Sequence, residues 1–420
     1  MVFKIHKYNN NAQVYQQIAE MTKTGEGILL EYDMDYVFQH IKNDGADRVS
    51  LVLDCSFEFF RFEEWPAFIL DLIPSGNGKR FLLEKYGRGG DDFLLQVGAW
   101  NPIGNLRVTG ELTKSFIQNI SQQEHVSFTE EDIIQKSDRF LHYAKTCGVQ
   151  IDGATDVQGD APKFLVIKGF DDRFYVDSGL VDKDLIKQHY IVKFPRGRLS
   201  ADFELLKNEA AYLEVACALD LNVGEAIVYK DGALFIPRFD REIIDGKLYC
   251  HGVESLYSLA GITERGQISD NFLFCELIAR YSSRGALDVL EFLKRDVLNV
   301  LLGNPDNHGR NSAMLKKNGE VRLSPLYDFA PMFHDPNDIF MRRSMWFAYE
   351  EGGRPDWAGV LGALEKYGKE IHKGFGEFVK SLKNLEKLLI ACGVDDFIIE
   401  KRTAIIQREL ALLEKLYEKD

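Results

Sequence analysis

The sequence lacks the features that mark several large classes of protein. Its six cysteines are scattered over 420 residues, and none forms a C-x-x-C pair. Disulfide scaffolds and structural zinc sites need closer spacing, so six reduced, mostly buried thiols are expected. No apolar run approaches the roughly 20 residues that span a membrane, and the first 17 residues lack the apolar region of a signal peptide. We therefore expect a cytoplasmic protein.

Positive charge is also scarce. Lys and Arg number 51 against 65 Asp and Glu, which gives a net charge of −14 and a pI near 5.2. Binding nucleic acid directly needs clustered basic side chains for the phosphates, so that function is disfavoured, whereas DNA binding through a partner stays open. The chain has no internal repeat, no low-complexity segment and neither the G-x-G-x-x-G nor the G-x-x-x-x-G-K-[ST] phosphate-binding motif.

The densest set of chemically active side chains follows an apolar helical pattern over residues 289–302. A polar turn comes next and contains Asp306, His308 and Asn311. Two short strand-like runs follow, joined by an Asn-Gly dipeptide that is typical of β-hairpin turns. The second run leads directly to Asp328.

The order and spacing of these residues are those of a kinase active site. Asp306 and Asn311 have the D-x4-N spacing of a catalytic loop, and Asp328-Phe329-Ala330 stands where D-F-G would lie. One carboxylate must accept the proton of the nucleophile, while a carboxamide and a second carboxylate hold Mg²⁺ against the phosphates. Taken singly, N-P-D-N would be an ordinary turn and an Asp after a strand a helix cap. The conjunction of helix, turn, hairpin and second Asp favours the kinase interpretation.

Upstream, a lysine and a glutamate stand where kinases place their phosphate-binding pair. Lys193 lies in a predicted strand over 189–197, and Glu209 lies in a predicted helix over 201–221. In kinases a strand lysine contacts the ATP phosphates and a helix carboxylate orients it. A lysine on the solvent face of the strand is the alternative.

Two further segments fit the same interpretation. A strand within 232–242 leads into Arg238-Phe239-Asp240, where a hinge between two lobes would lie. Residues 147–169 form a turn rich in glycine and aspartate before an apolar strand. Such a turn can surround a phosphate with backbone N–H groups, although an ordinary hairpin turn has the same composition.

With these features in this order, the chain resembles the HipA family of serine/threonine kinases, which are toxins of toxin–antitoxin systems. The family motifs R-F-D-R, G-x2-D-x-H-x2-N and R-L-[ST]-P-x-Y-D correspond to residues 238–241, 303–311 and 322–328. The resemblance covers most of residues 27–390.

The resemblance implies an α+β, protein-kinase-like fold with two lobes: a mixed α/β N-lobe and an all-helical C-lobe, preceded by a small N-terminal α/β lead-in domain. We place these domains at residues 146–245, 246–420 and 1–145, respectively. A chain of 420 residues, 45% of them hydrophobic, is long enough for two or three domains. Within the lead-in domain, strands are expected over 27–33 and 48–62.

The resemblance also assigns roles to residues. Those implied to contact ATP, or to orient a group that does, are Gly159, Lys163, Lys193, Glu209, Arg238, Phe239, Asp240 and Tyr327. Those implied to carry out catalysis are Asp306 as the general base, His308 and Asn311. Those implied to bind metal are Asn311 and Asp328. ATP and Mg²⁺ are thus the expected cofactors.

The phosphate loop departs from the family pattern. It has Q-G-D-A at 158–161 where the family usually has G-A-Q, which brings the carboxylate of Asp160 towards the phosphates. Asp156 stands where the family has an autophosphorylated serine. Weaker nucleotide binding is the expected consequence.

For function, the resemblance implies phosphorylation of a serine or threonine on a protein, with aminoacyl-tRNA synthetases as targets in the family. It also implies a small helix-turn-helix antitoxin partner, through which any contact with DNA would be made. Two alternatives stay open: a small-molecule phosphotransferase of the kinase-like superfamily, and a nucleotide-binding protein with little turnover.

Overall fold

The computed structural model describes residues 1–43, 45–74, 76–122, 126–147, 150–151, 161–264, 266–335 and 341–417. The chain forms two compact units. The first unit comprises residues 1–196, 235–265 and 315–320, and the second comprises 197–234, 266–314 and 321–420. The chain therefore passes between the units several times.

The first unit begins with a five-stranded antiparallel sheet. Its strands are β1 (Val2–Asn9), β2 (Val14–Thr24), β3 (Gly27–Tyr32), β4 (Phe60–Phe62) and β5 (Leu106–Thr109). They lie in the order β4-β3-β2-β1-β5. Buried and more exposed residues alternate along β3, as expected for a sheet with one face on a core. The strand predicted over 27–33 is confirmed.

The strand predicted over 48–62 is wrong for most of its length, because only β4 forms at its end. The preceding residues form turns whose backbone N–H groups bind side chains. The Tyr32 hydroxyl accepts from the N–H of Val49 at 3.0 Å, and the Glu254 carboxylate accepts from that of Leu51 at 2.9 Å. These buried N–H groups are satisfied without a partner strand. Val49 and Leu51 are both buried, which explains the strand-like apolar pattern.

Helices fill much of the chain between the first sheet and residue 147. They are α1 (Met34–His40), α2 (Ala67–Leu70), α3 (Gly76–Tyr86), α4 (Asp91–Gly98), α5 (Glu111–Ser121), α6 (Glu130–Ile134) and α7 (Asp138–Thr146). Helix α6 begins with a reciprocal capping box, in which Thr129 accepts from the N–H of Asp132 and donates its own N–H to the Asp132 carboxylate.

A second sheet of the first unit is built around one buried strand. Its strands that lie wholly within this unit are β6 (Ser127–Phe128), β7 (Gln150–Ile151), β8 (Lys163–Gly169), β9 (Phe174–Val176) and β10 (Ile186–Lys193). Strand β8 pairs antiparallel with β7, β9 and β10, and β6 pairs with β9. Four consecutive residues of β8 are buried, so both faces of this strand are covered. Strand β10 is the predicted lysine strand, and it ends at the lysine.

The chain continues with a long helix and a series of short strands. These are α8 (Ser200–Ala218), β11 (Val228–Lys230), β12 (Ala233–Pro237), β13 (Arg241–Ile244), β14 (Lys247–Cys250), β15 (Gly252–Ser255) and α9 (Leu256–Leu259). Helix α8 confirms the helix predicted over 201–221, shortened by three residues at its C-terminus.

The second unit is mostly helical. Its remaining elements up to residue 302 are β16 (Ser269–Asp270), α10 (Asn271–Tyr281) and α11 (Ala286–Leu302). The next two strands, β17 (Ala313–Lys317) and β18 (Glu320–Leu323), each have residues in both units. After these come β19 (Ser344–Met345), β20 (Glu350–Glu351), β21 (Arg354–Pro355), α12 (Trp357–Leu364), α13 (Lys369–Ser381), α14 (Leu385–Ala391) and α15 (Asp396–Lys415). Helix α11 packs against α10, α13 and α15 and is buried along most of its length. None of the helices in the described ranges combines the length and apolar character needed to cross a membrane.

The predicted hairpin is confirmed as β17 and β18. Its two turn residues, Asn318 and Gly319, have φ angles of 53° and 79°. A two-residue turn of this type needs a positive φ at both positions, which Asn and Gly adopt more readily than other residues.

Burial of the cysteines also agrees with expectation, because four of the six lie in the interior.

Candidate active site

The catalytic loop begins at a glycine that its surroundings require. Gly303 ends α11 in the left-handed region, at φ 75°. A Cβ at this position would lie 2.6 Å from the Cδ1 atom of Phe333, and a contact under 3.0 Å forces atoms to move. Glycine is therefore needed here for its backbone angle and for its lack of a side chain.

Two distant side chains fix the end of α11. Arg402 of α15 donates to the carbonyl groups of Val300 and Leu301, the second at 3.0 Å. The Tyr212 hydroxyl of α8 donates to the carbonyl of Leu302 at 2.8 Å. The last carbonyl groups of a helix have no partner within the helix, and a cation near that end is also favoured by the helix dipole. The loop thus leaves from a rigid support.

Asp306 has the position and environment expected of a general base. Its Oδ1 atom is buried and has no hydrogen-bond partner among the described residues. The Nε2 atom of His308 lies 3.7 Å from that oxygen, which is beyond hydrogen-bond length but close enough for electrostatic attraction. His308 is itself buried. An acceptor held without a partner costs free energy, which a substrate hydroxyl could recover by donating to it.

The side chain of Asn311 is hydrogen-bonded to the backbone of Asp306. Its Nδ2 atom donates to the backbone carbonyl of Asp306 at 2.8 Å. This bond ties the two ends of the D-x4-N spacing together and leaves the amide oxygen on the other side of the group. Tyr327 fixes the loop at the residue before Asn311, because its hydroxyl donates to the carbonyl of Arg310 at 2.7 Å.

Asn311 and Asp328 meet at one small cavity inside the second unit. The cavity has a volume of about 20 Å³. Its lining residues are Phe292, Arg295, Asp296, Asn299, Asn304, Asn307, Asn311, Ser312, Leu326, Tyr327, Asp328 and Ser344. About 10–15 Å³ is enough for one water molecule, so the cavity admits a species of the size of a water or an ion.

The oxygen-rich lining fits Mg²⁺. This ion prefers oxygen ligands and is usually held by one or two carboxylates together with substrate phosphates, not by a protein cage. Asn311 and Asp328 supply an amide oxygen and a carboxylate. No group of three or more His, Cys, Asp or Glu suited to a metal occurs in the described part of the chain, which is compatible with a metal that the substrate helps to hold.

Asp328 occupies a backbone conformation that few residues adopt. Its φ angle is 50°, in the left-handed region, which is uncommon outside glycine and costs free energy. The next residue, Phe329, is buried, and its ring lies 5.3 Å from that of Tyr212. Packing of Phe329 thus holds Asp328 in this conformation. The sequence gives no sign of this angle.

In the first unit, two of the predicted phosphate-binding residues form a cross-strand pair. Lys193 of β10 lies directly opposite Lys163 of β8 in the antiparallel register. Side chains of such a pair leave the same face of the sheet with Cβ atoms about 4.5–5.5 Å apart, and two like charges there oppose strand pairing. The pair concentrates positive charge at one point, which suits an anion such as phosphate. Lys163 is the first residue of its strand.

Arg238 and Asp240 belong to a fully buried ion-pair network of the first unit. The Arg238 guanidinium donates to both Asp240 oxygens, at 2.9 and 2.7 Å, and to Asp177 at 2.9 Å. Arg241 donates to Asp240 at 2.7 Å, as does the backbone N–H of Gly104 at 2.8 Å. Burial alone would raise the pKa of Asp240, but Arg238 and Arg241 outweigh it and hold that pKa below its usual value.

This network gives the R-F-D-R motif a structural task, since the polar atoms of Arg238 and Asp240 bind other parts of the unit. Their place beside the adenosine, with Phe239, stays a prediction. Glu209 is buried in α8 and belongs to the second unit, whereas Lys193 belongs to the first. Gly159 and the neighbouring acidic positions of the phosphate loop lie outside the described residues.

Several residues that shape the site escaped the sequence analysis. Tyr212 and Arg402 lie about 90 and 100 positions from the carbonyl groups that they bind, and no local pattern marks them. Asn307, next to Asp306, makes four hydrogen bonds that are described below. Its position inside the catalytic motif was the available signal.

The chain is similar to several known proteins. Residues 155–384, more than half of the chain, match the family model of the HipA-like C-terminal domain. Y4mE of Sinorhizobium fredii, which is named as a candidate kinase, is 30% identical over 148 residues. That match covers 33% of this chain and 34% of Y4mE, so it spans about a third of the relative.

Solved structures extend the comparison to the whole fold. HipA of Shewanella oneidensis, solved with HipB and operator DNA, superposes with a TM-score of 0.64 at 16% identity and covers 98% of this chain and 97% of its own. The Helicobacter pylori kinase CtkA gives a TM-score of 0.36 at 12% identity, over 62% of this chain and 92% of its own. The likeness to HipA shows the fold, which is α+β and kinase-like. Because the family model matches more than half of its length, this chain belongs to the HipA family.

Proposed function

We propose that this protein is a kinase that transfers the γ-phosphoryl group of ATP to a serine or threonine hydroxyl of a protein. The observation that carries the proposal is the convergence of Asn311 and Asp328 on one cavity of ionic size, with Asn311 hydrogen-bonded to the backbone of Asp306. Membership of the HipA family supports a kinase-type reaction. It does not by itself fix the acceptor.

Each residue of the loop then has a defined task. Asp306 accepts the proton of the attacking hydroxyl through its unpartnered Oδ1 atom. His308, 3.7 Å away, stabilises the carboxylate if it is protonated and otherwise limits the space around it. Asn311 and Asp328 would hold Mg²⁺ through their oxygen atoms, and the ion would supply positive charge against that of the phosphates.

The two lysines of the second sheet are proposed to bind the phosphates. Lys163 and Lys193 stand opposite each other, so both ammonium groups can reach one anion. A pair of cations attracts a polyphosphate more strongly than either alone, and the attraction weakens as the salt concentration rises. ATP binding should therefore be salt-dependent.

The direct test is transfer of radiolabel from [γ-³²P]ATP to a cell lysate, with the Asp306→Asn variant as a matched control. A discrete labelled protein that is absent with the variant supports the proposal, and phosphoamino-acid analysis identifies the hydroxyl. A labelled small molecule would instead identify a small-molecule phosphotransferase. No labelled product, together with measurable ATP binding, would identify a nucleotide-binding protein with little turnover.

We further propose a DNA-binding antitoxin as a partner. The HipA structure to which this chain is similar was solved with HipB and operator DNA. A net charge of −14 argues against strong contact between this chain and DNA by itself. An adjoining reading frame that encodes a small helix-turn-helix protein would supply the test. The purified chain should shift operator DNA only when that protein is present.

A further inference from the structure

Asn307 uses the whole hydrogen-bonding capacity of its side chain. Its Nδ2 atom donates to the Asp296 carboxylate at 3.1 Å and to the carbonyl of Ser344 at 2.9 Å. Its oxygen accepts from the backbone N–H groups of Arg343 at 3.0 Å and of Ser344 at 3.1 Å. Two donors and two lone pairs are all that a carboxamide has. The amide thus pairs with the 343–344 backbone much as a neighbouring strand would.

The same backbone is also bound on the other side of Asp306. The N–H of Arg343 lies 3.1 Å from the carbonyl oxygen of Pro305. The residues immediately before and after the catalytic aspartate, Pro305 and Asn307, are therefore both hydrogen-bonded to Arg343. A shift of this backbone would be transmitted to Asp306 from both sides.

Asp296 of α11 binds the side chains on either side of the 343–344 backbone. This carboxylate is buried, with 2% exposure, and accepts from the Arg342 guanidinium and from the Trp346 indole N–H, both at 2.7 Å. The Arg342 guanidinium also donates to Glu350 at 2.7 Å. A buried carboxylate is stable only when its charge is compensated. Here the compensating charge comes from Arg342, and Trp346, Asn271 and Asn307 donate further hydrogen bonds.

We propose that Asn307 is a positioning residue, which places the Asp306 carboxylate by fixing the catalytic loop to the segment of residues 341–351. Asp296 supports this connection, because its carboxylate accepts hydrogen bonds both from Asn307 and from Arg342 and Trp346 of the 341–351 segment. The inference rests on the proposed kinase function, and it assigns to the 341–351 segment control over the geometry of the general base. The segment need not touch substrate for this effect.

The chemistry of the contact sets the expected consequence. Phosphoryl transfer depends mainly on positioning, and a displacement of about 1 Å at a reacting group can lower a rate by about 10²-fold. Asn307 lines the same cavity as Asp328, but its four hydrogen bonds leave neither amide atom for a metal. Loss of the Asn307 amide should thus lower kcat and leave the KM for Mg-ATP nearly unchanged.

The experiment compares Asn307→Ala and Asn307→Asp with wild type in a phosphoryl-transfer assay. Asn307→Asp keeps the accepting oxygen but sets a carboxylate against Asp296 and the Ser344 carbonyl, so repulsion should make it at least as harmful as alanine. Asn208→Ala is the matched control. Asn208 is a fully buried asparagine of the same unit, and it donates to Glu204 and Asp395 and accepts from Asp395. Thermal unfolding is recorded for every variant.

We expect kcat to fall by about 10²-fold in both Asn307 variants, with the KM for Mg-ATP within about twofold of wild type. Asn208→Ala should lose comparable stability and keep its kcat. An equal fall of kcat in Asn208→Ala, or more than half of wild-type kcat in both Asn307 variants, would overturn the inference. An inactive wild type would instead refute the proposed function. Should Asn307→Ala fail to fold, Arg342→Lys decides, with a smaller fall in kcat at unchanged KM expected.

Discussion

The R-F-D-R motif of the first unit and the catalytic loop of the second place charged groups in the interior in opposite ways. In the first, Asp240 accepts from two arginines and from a backbone N–H, and its charge is fully compensated. In the second, the Oδ1 atom of Asp306 is buried but has no hydrogen-bond partner within the described ranges. Both aspartates belong to recognisable sequence motifs. Asp240 has hydrogen-bond partners at both carboxylate oxygens, whereas the Oδ1 atom of Asp306 has none among the described residues.

This difference separates a structural charge from one that is available for the proposed chemistry. A buried ion pair contributes little net stability, but removal of one partner leaves an uncompensated charge and costs about 3–5 kcal/mol. The desolvation cost of an unpartnered buried oxygen is already present in the folded state. Its replacement should therefore not lower stability, but it removes the group that would accept the proton. The two aspartates should therefore respond oppositely to neutral, isosteric substitution.

Asp306→Asn gives the largest expected effect. Phosphoryl transfer should fall by about 10²–10⁴-fold, because an amide cannot accept the proton of the hydroxyl. Stability and ATP affinity should stay near wild type, since this oxygen binds no described protein group. Steady-state kinetics and calorimetry with Mg-ATP measure both quantities. Retention of more than about a tenth of the wild-type rate would contradict the assignment of the base.

Asp240→Asn should show the opposite profile. We expect a loss of about 3–5 kcal/mol in the free energy of unfolding, because Arg238 and Arg241 would stay buried with reduced compensation. Urea denaturation measures it, and Asp245→Asn, an exposed aspartate of the β13–β14 turn, is the matched control. Unchanged stability with a higher KM for ATP would instead show that Asp240 acts at the nucleotide.

Asp328→Gly sharpens the comparison, because this aspartate combines strain with a proposed metal contact. Glycine adopts a φ of 50° at no steric cost, so the variant should be as stable as wild type or slightly more stable. Affinity for Mg-ATP and turnover should fall together, as the carboxylate is lost. Calorimetry with ATP alone serves as the control. Equal loss of affinity with and without Mg²⁺ would argue against a metal contact.

The sequence was sufficient for structural features built from residues close together in the chain. The D-x4-N spacing, the Asn-Gly turn and Asp328 lie within 23 positions, and the hairpin and kinase-like fold were correctly predicted. It failed where the partner is remote. Tyr212 and Arg402 act on the end of α11 across about 90–100 residues, and Glu254 supplies the bond that replaces a strand at Leu51.

The alternation of apolar residues over 48–62 shows why such failures occur. Period-two burial is shared by a strand and by a series of turns that face one core, so the pattern cannot distinguish them. What distinguishes them is where the backbone N–H groups bind, and that depends on distant side chains. The domain boundaries and the individual nucleotide contacts stay predictions for the same reason, because they depend on contacts between distant parts of the chain.

The smallest expected effect is on the pH dependence of stability, and it arises in the buried ion-pair network of Arg238 and Asp240. The Nδ1–H of His189 donates to the Asp177 carboxylate at 2.9 Å, and its Nε2 atom is buried without a hydrogen-bond partner in the described part of the chain. Burial lowers the pKa of His189 despite the nearby carboxylate. Below the ordinary histidine pKa of about 6.5, the unfolded chain thus binds a proton that the folded chain does not. The free energy of unfolding therefore decreases as the pH is lowered.

Asp177 and Asp240 act in a lower window. Burial alone would raise the pKa of Asp177, but His189, Arg238 and Arg241 outweigh it and lower that pKa. Because both carboxyl groups have lowered pKa values in the folded state, their contribution is present above about pH 4 and is lost below it. The histidine and carboxylate contributions are therefore lost in successive pH ranges.

His189→Gln should flatten the decline of stability between about pH 6.5 and 4 and leave the decline below pH 4 in place. The free energy of unfolding in urea, measured from pH 7 to pH 3.5, tests this, with the exposed His142→Gln as control. A residual slope is expected in both variants, since burial together with Arg107 and Lys4 lowers the pKa of His6 to about 4. Identical slopes for the two variants would mean that His189 keeps its proton in the folded state, so that the network includes an imidazolium and two paired carboxylates.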